Sequence, residues 1–91
     1  MIDTIVKRDG REMPFESDKI AQAVRKAFEA TGQNKDEKTC AKIAQQVVHE
    51  AEEKQYVKPT VEQIQDLVEG VLIEDGYVRT AKAYILYRAE R

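Results

Sequence analysis

At 91 residues, with 42% hydrophobic and 35% charged side chains, the chain has one domain's length and too much apolar content to stay disordered. Its 15 basic and 17 acidic residues leave a formal charge of −2. That excludes a general nucleic-acid binder, whose affinity rests on neutralising many phosphates, yet leaves room for one local basic pocket.

Asp9-Gly10 is the strongest turn signal, because both central residues of a type I′ hairpin turn need positive φ. A hairpin is therefore expected over about 4–15. With a two-residue loop, Arg8 faces Arg11, Lys7 faces Glu12 and Val6 faces Met13. Thr4, Val6, Met13 and Phe15 then share one strand face, and Ile5, Lys7 and Glu12 the other. Two strands are marginal alone, so this ribbon must pack on something.

The rest reads as four helices. The first spans about 17–31, with Ile20, Val24, Ala27 and Phe28 as its inward stripe and Gly32 as its stop. The second, about 35–54, opens at Asn34, with Glu37 three places on as in a capping box. It turns Cys40, Ile43, Ala44, Val47, Val48 and Ala51 inward. Residues 56–59 connect it to the third helix, about 61–75, where Thr60 and Gln63 form another capping box. Gly70 lies in the middle of that helix, at a cost of about 1 kcal/mol against Ala, and close helix packing is the expected reason. Gly76 ends it. The last helix, about 77–91, is expected to bury Val78, Ala81, Tyr84 and Ile85. The fold class is α+β and mostly helical: one domain over 1–91, a small hairpin against a four-helix bundle.

Catalytic patterns are missing. His49 is the only histidine and sits among solvated glutamates, so it reads as a surface residue. Cys40 falls on an apolar stripe and reads as a small core residue; alone it makes neither a disulfide nor a zinc site. No apolar run approaches the ~20 residues that span a membrane, and Met1-Ile2-Asp3-Thr4 does not resemble a signal peptide. A cytoplasmic setting is the expectation. The four glycines, at 10, 32, 70 and 76, spell neither a Walker loop nor a GxGxxG turn, so phosphate binding would need side-chain cations.

Such cations are present. Lys7, Arg8 and Arg11 crowd the hairpin tip, and Lys19 falls in the first turn of the next helix, where it opposes the helix dipole. Charge alone leaves two readings open. These are solvated cations offset by Asp9, Glu12, Glu16 and Asp18, or they converge on an anion.

The segments "VKRDGREMPFESDKI", "PTVEQIQDLVEGVL" and "AKAYILYRAER" together resemble the ATP-cone, a regulatory nucleotide-binding domain of ribonucleotide reductases. The "PF…KI" stretch and the "AYILYR" ending look most like anaerobic ribonucleoside-triphosphate reductases. The resemblance covers about Thr4 to Arg91 and implies a hairpin over a four-helix bundle. It implies a non-catalytic allosteric domain whose parent is switched on by ATP and off by dATP, with Mg2+ accompanying the nucleotide. By the same resemblance, Lys7 and Arg8 contact the triphosphate together with Lys19, and Ile5 and Ile20 supply apolar contacts. Thr60 lies near the base, Gln65 fills a position that varies across the family, and Arg88 or Arg91 supplies a C-terminal cation. The implied partners are adenine nucleotides, the catalytic domain of the parent reductase and a second copy of the domain. The third and last helices, with Tyr77, Tyr84 and Tyr87 close to the C-terminal cations, are the expected contact surface. The alternative is a helical module that binds an acidic protein or nucleic acid without nucleotide switching.

Overall fold

The computed structural model describes residues 1–90 of the chain. Among them the order is β1 (Thr4–Val6), β2 (Glu12–Pro14), α1 (Ser17–Ala30), α2 (Glu37–Glu53), α3 (Val61–Glu74) and α4 (Val78–Glu90). The helices pack as a ring, with α1 and α3 each lying against both α2 and α4. Val24 and Phe28 from α1, Ile43 and Val47 from α2, and Val68 and Leu72 from α3 fill the centre and are almost wholly enclosed. Phe28 also meets the Tyr77 ring edge to face at 5.0 Å.

The inward stripes of the first three helices follow the spacing of their apolar residues, and Cys40 lies in the core as its stripe requires. Burial pushes the Cys40 thiol above its usual range, which suppresses the reactive thiolate. The last helix departs from expectation. Ala81 and Tyr84 are buried, but Val78 is 61% exposed and Ile85 42% exposed. Its inward side runs instead through Tyr77, Thr80, Ala81, Tyr84 and Arg88, at i, i+3, i+4, i+7 and i+11 spacing. Thr80 and Arg88 are polar, so hydropathy alone points to the wrong side of this helix. Thr80 is fully enclosed and its Oγ1 has no hydrogen-bond partner.

Helix ends carry their own chemistry. α2 starts at Glu37 with Asp36 as its cap, rather than at Asn34. The Asp36 Oδ1 accepts the Thr39 N–H at 2.8 Å. Hydrogen bonds from Thr39 hold that carboxyl below its ordinary range. The expected box at α3 is present: Thr60 Oγ1 accepts the Gln63 N–H at 3.1 Å, and Gln63 Oε1 accepts the Thr60 N–H at 2.9 Å. α1, α2 and α3 all close with paired backbone bonds around a left-handed residue. Gly32 and Gly76 fill that position in α1 and α3, whereas α2 uses Gln55 at φ 61°.

The hairpin loop has three residues, not two. Thr4 pairs with Pro14, Ile5 with Met13 and Val6 with Glu12. Lys7 O accepts the Gly10 N–H at 2.9 Å, and the Lys7 N–H donates to Arg11 O at 2.8 Å. Gly10 at φ 89° thus follows a turn and forms a bulge, so Asp9 needs no positive φ. Asp9 instead accepts the Arg11 N–H at 3.1 Å and the Arg11 Nε–H at 2.7 Å. The one-residue shift regroups the faces: Ile5 and Lys7 now share a side with Met13, and Val6 with Glu12. Pro59 and Thr60 complete the ribbon. The Val6 N–H donates to Pro59 O at 2.9 Å, and Val6 forms a parallel bridge with Thr60.

Gly70 does not mark close helix packing, since a Cβ built there meets no atom within 4 Å. Gly70→Ala is therefore expected to stabilise the domain by about 0.5–1 kcal/mol, chiefly by restricting the unfolded chain. For a chain of this length that raises the melting temperature by roughly 4–8 °C per kcal/mol, readable by circular dichroism. A melting temperature equal to or below that of the unaltered protein would contradict the open space found there.

Candidate functional site

A cleft opens where the inner side of the hairpin meets the starts of α1 and α3. It has two adjoining parts that share Lys7, Val61 and Gln65. The outer part, about 370 Å³, lies at the hairpin tip and is also bordered by Arg8, Asp9 and Arg11. The inner part, about 150 Å³, adds Lys19 and an apolar lining that includes Ile5, Ile20, Met13 and Tyr84. Cations at the mouth with an apolar floor suit a ligand that is anionic at one end and flat or apolar at the other.

Each element places its residue for a local reason. Lys7 follows Ile5 by two residues and so shares its side, where the three-residue loop sets Met13 opposite Ile5; one strand thus supplies a cation and an apolar contact together. Lys19 and Ile20 follow from the start of α1, whose N-cap Glu16 makes no side-chain capping bond. That helix end keeps donor capacity beside Lys19. The Val6–Thr60 bridge brings the start of α3 to the strand, and one turn later Gln65 reaches the cleft. Gln65 Oε1 is buried and has no hydrogen-bond partner. An orphaned carbonyl oxygen costs about 1–3 kcal/mol, so a donor arriving with a ligand would remove a standing penalty.

Five of the nine residues singled out in the sequence line the inner part: Ile5, Lys7, Lys19, Ile20 and Gln65. Arg8 borders the outer part. Thr60 is engaged in its helix cap and lines neither part. Arg88 is also elsewhere. Its side chain is 17% exposed, and the guanidinium binds Asp66 at 2.9 Å and Glu69 at 2.5 Å, both on α3. Arg91 lies outside the described residues. Val61, Met13 and Tyr84 line the cleft without having been singled out for it. Apolar spacing alone assigns such residues to a core, and only the hairpin register and the helix ring reveal that one edge of them borders a cavity.

Neighbouring carboxylates hold most of the cations. Arg8 pairs with Glu62 at 2.7 Å, Arg11 with Asp9 at 2.7 Å and Lys19 with Glu16 at 3.3 Å. The Arg11 N–H and guanidinium together draw the Asp9 carboxyl below its usual range. His49 is on the surface and pairs with Glu53 at 3.1 Å. Among the described residues, no helix is long and apolar enough to cross a membrane.

Residues 3–91 match the family of the ATP cone domain. The vitamin B12-dependent ribonucleoside-diphosphate reductase of Thermoplasma acidophilum is 43% identical over 96 residues, covering 100% of this chain and 12% of that protein. The anaerobic ribonucleoside-triphosphate reductase of Salmonella typhimurium is 35% identical over 91 residues, again covering 100% of the chain and 12% of the relative. A ribonucleoside-diphosphate reductase subunit alpha from Chlamydia pneumoniae is 43% identical over 100 residues, with 97% and 9% covered. The chain thus spans about a tenth of the length of the curated relatives it matches.

Tyr84, at the floor of the cleft, is 4% exposed, and burial pushes its hydroxyl up to about 12. The folded protein therefore keeps a proton that the unfolded chain releases near pH 10. Stability from this group is complete below about pH 10 and is lost as pH rises towards 12, by roughly 2–3 kcal/mol. Ultraviolet titration should show a late tyrosinate step that Tyr84→Phe removes. If that step is unchanged in Tyr84→Phe, the late proton belongs to another group.

Proposed function

The chain belongs to the ATP-cone family, and on that premise we propose that it binds ATP and dATP and so regulates a ribonucleotide reductase of which it forms one domain. The observation that carries this reading is the convergence of Lys7, Arg8 and Lys19 around a cleft with an apolar floor and an unpartnered Gln65 carbonyl. A triphosphate, with about four negative charges, suits the outer part, where charge-assisted bonds from lysine and arginine are strong. Its Mg2+ arrives with it. The base and sugar fit the inner part, against Ile5, Ile20 and Tyr84, where an amine or hydroxyl can donate to Gln65 Oε1. This role is regulatory rather than catalytic, with ATP activating and dATP inhibiting. Its partners are the nucleotide, the catalytic body of the reductase and a second copy of the domain. Tyr84 is too enclosed for that contact, and the exposed apolar groups of α4 are Val78, Ile85 and Leu86.

Calorimetric titration with ATP, dATP and GTP tests the reading directly. ATP and dATP should release heat and raise the melting temperature, with GTP clearly weaker. Absence of both effects for ATP, far above cellular concentrations, would end the proposal.

The cations should also rank unequally. Lys7→Ala should lower ATP affinity by roughly ten- to a hundredfold, the usual loss for one charged phosphate contact of about 1.5–3 kcal/mol. Arg8→Ala should fall near the lower end, because that guanidinium is partly engaged already. Arg11→Ala should matter least, since Asp9 holds its guanidinium. Equal losses at all three positions would indicate diffuse electrostatics instead, as would losses that vanish in moderate salt.

A further inference from the structure

We propose that Glu62 is a built-in competitor of the ligand phosphates: without nucleotide its carboxylate occupies the Nε edge of Arg8, and a phosphate must displace it to take that edge. The inference rests on the nucleotide-binding reading above. It adds a residue that sets affinity by opposing the ligand rather than by contacting it.

The geometry of the ion pairs sets this one apart. Arg11–Asp9 and Lys19–Glu16 join near neighbours in the chain, as surface charges commonly do. Arg8–Glu62 crosses from the hairpin tip to the first turn of α3, and its arginine borders the outer part of the cleft. Its 2.7 Å separation runs from Arg8 Nε to Glu62 Oε2. A guanidinium has one Nε edge. While a carboxylate holds it, a phosphate cannot use the same edge.

Glu62 is also well placed to act as an internal anion. In the first turn of α3 it sits at the positive end of the helix dipole and faces a cation from a second element. Those two influences would stabilise a phosphate at the same place. Lys7 differs from Arg8, since among the described residues no carboxylate is within ion-pair distance of it. An arriving triphosphate therefore finds one cation open and one held.

The hold is weak by design of its surroundings. Arg8 and Glu62 side chains are 57% and 42% exposed, so solvent screens their attraction. A singly charged carboxylate in water lowers a competing ligand's affinity by only about two- to fivefold. That is enough to weaken ligands poor in charge and too little to exclude a triphosphate. Binding then exchanges a direct tie between hairpin and α3 for one that runs through the ligand.

A double-mutant cycle tests this by ATP titration of the unaltered chain, Glu62→Gln, Arg8→Ala and the double variant. Glu62→Gln alone should tighten ATP binding about two- to fivefold. In the Arg8→Ala background the same change should have no effect, because the competition acts through Arg8. Unchanged or weaker binding in Glu62→Gln would overturn the proposal while ATP binding by the unaltered chain leaves the nucleotide reading intact. Equal tightening with and without Arg8 would also overturn it, reducing Glu62 to a diffuse background charge. If none of the four chains binds ATP, the nucleotide reading itself falls, and this proposal with it.

Discussion

The site depends on one junction, the Val6 N–H bond to Pro59 O with its accompanying bridge to Thr60. Two three-residue strands cannot hold their shape unaided in water. Pairing with the segment just before α3 gives the ribbon a third partner, and it fixes α3's first turn beside the strand. The capping box at Thr60 then sets where α3 begins, which determines how far down the helix Gln65 falls and therefore what reaches the cleft. A shift of one residue at this junction would move Lys7 to the far side of the strand and carry Gln65 about 100° around its helix. Cleft and fold are fixed by the same few backbone bonds.

The hairpin is anchored unevenly. Its base is tied down by Ile2, which is buried, and by Ile5 and Phe15, which pack against the core. Its tip, from Lys7 to Arg11, is exposed throughout and is held to the bundle by charge, through Arg8–Glu62. Lys58–Glu12 at 3.3 Å adds a second exposed tie further back. Exposed pairs contribute at most about 1 kcal/mol each. Apolar burial thus sets the position of the strand, and electrostatics sets the position of the tip. Of the cations proposed to meet a phosphate, Lys7 and Arg8 lie on that charge-held tip, whereas Lys19 is placed by α1.

The sequence carried most of the fold because three helices have clean apolar stripes and strong end signals. Ile20, Val24, Ala27 and Phe28 are four of four inward on α1, and glycines stand where α1 and α3 need left-handed residues. Three features were not legible. Asp9-Gly10 marks a hairpin without fixing its loop length, since Asp-Gly serves equally a two-residue turn and a three-residue loop with a bulge. Only Lys7 pairing with Arg11 decides between them. On α4, the inward side carries the buried Thr80 and the part-buried Arg88, so its apolar residues are a poor guide to that side. The Gln55 cap was hidden as well, because no glycine announces it.

The same contrast separates what can be read of the site from what cannot. Lys7, Arg8 and Arg11 stand out in the sequence as cations crowded at one turn, and Lys19 as a cation that opposes a helix dipole, both visible without coordinates. Their neutralisation is not, because Glu62 lies on a different element and nothing in its own neighbourhood marks it as Arg8's partner. Binding affinity is a difference between two states, and the sequence motif describes only the contacts of the bound one. A reading built on cations alone therefore overstates how strongly the empty cleft attracts an anion. With Arg8 and Lys19 already balanced, the net pull on an approaching phosphate falls chiefly to Lys7 and the free end of α1. On the proposed reading, a ligand gains by carrying enough charge to displace what is there, which favours a triphosphate over a monophosphate.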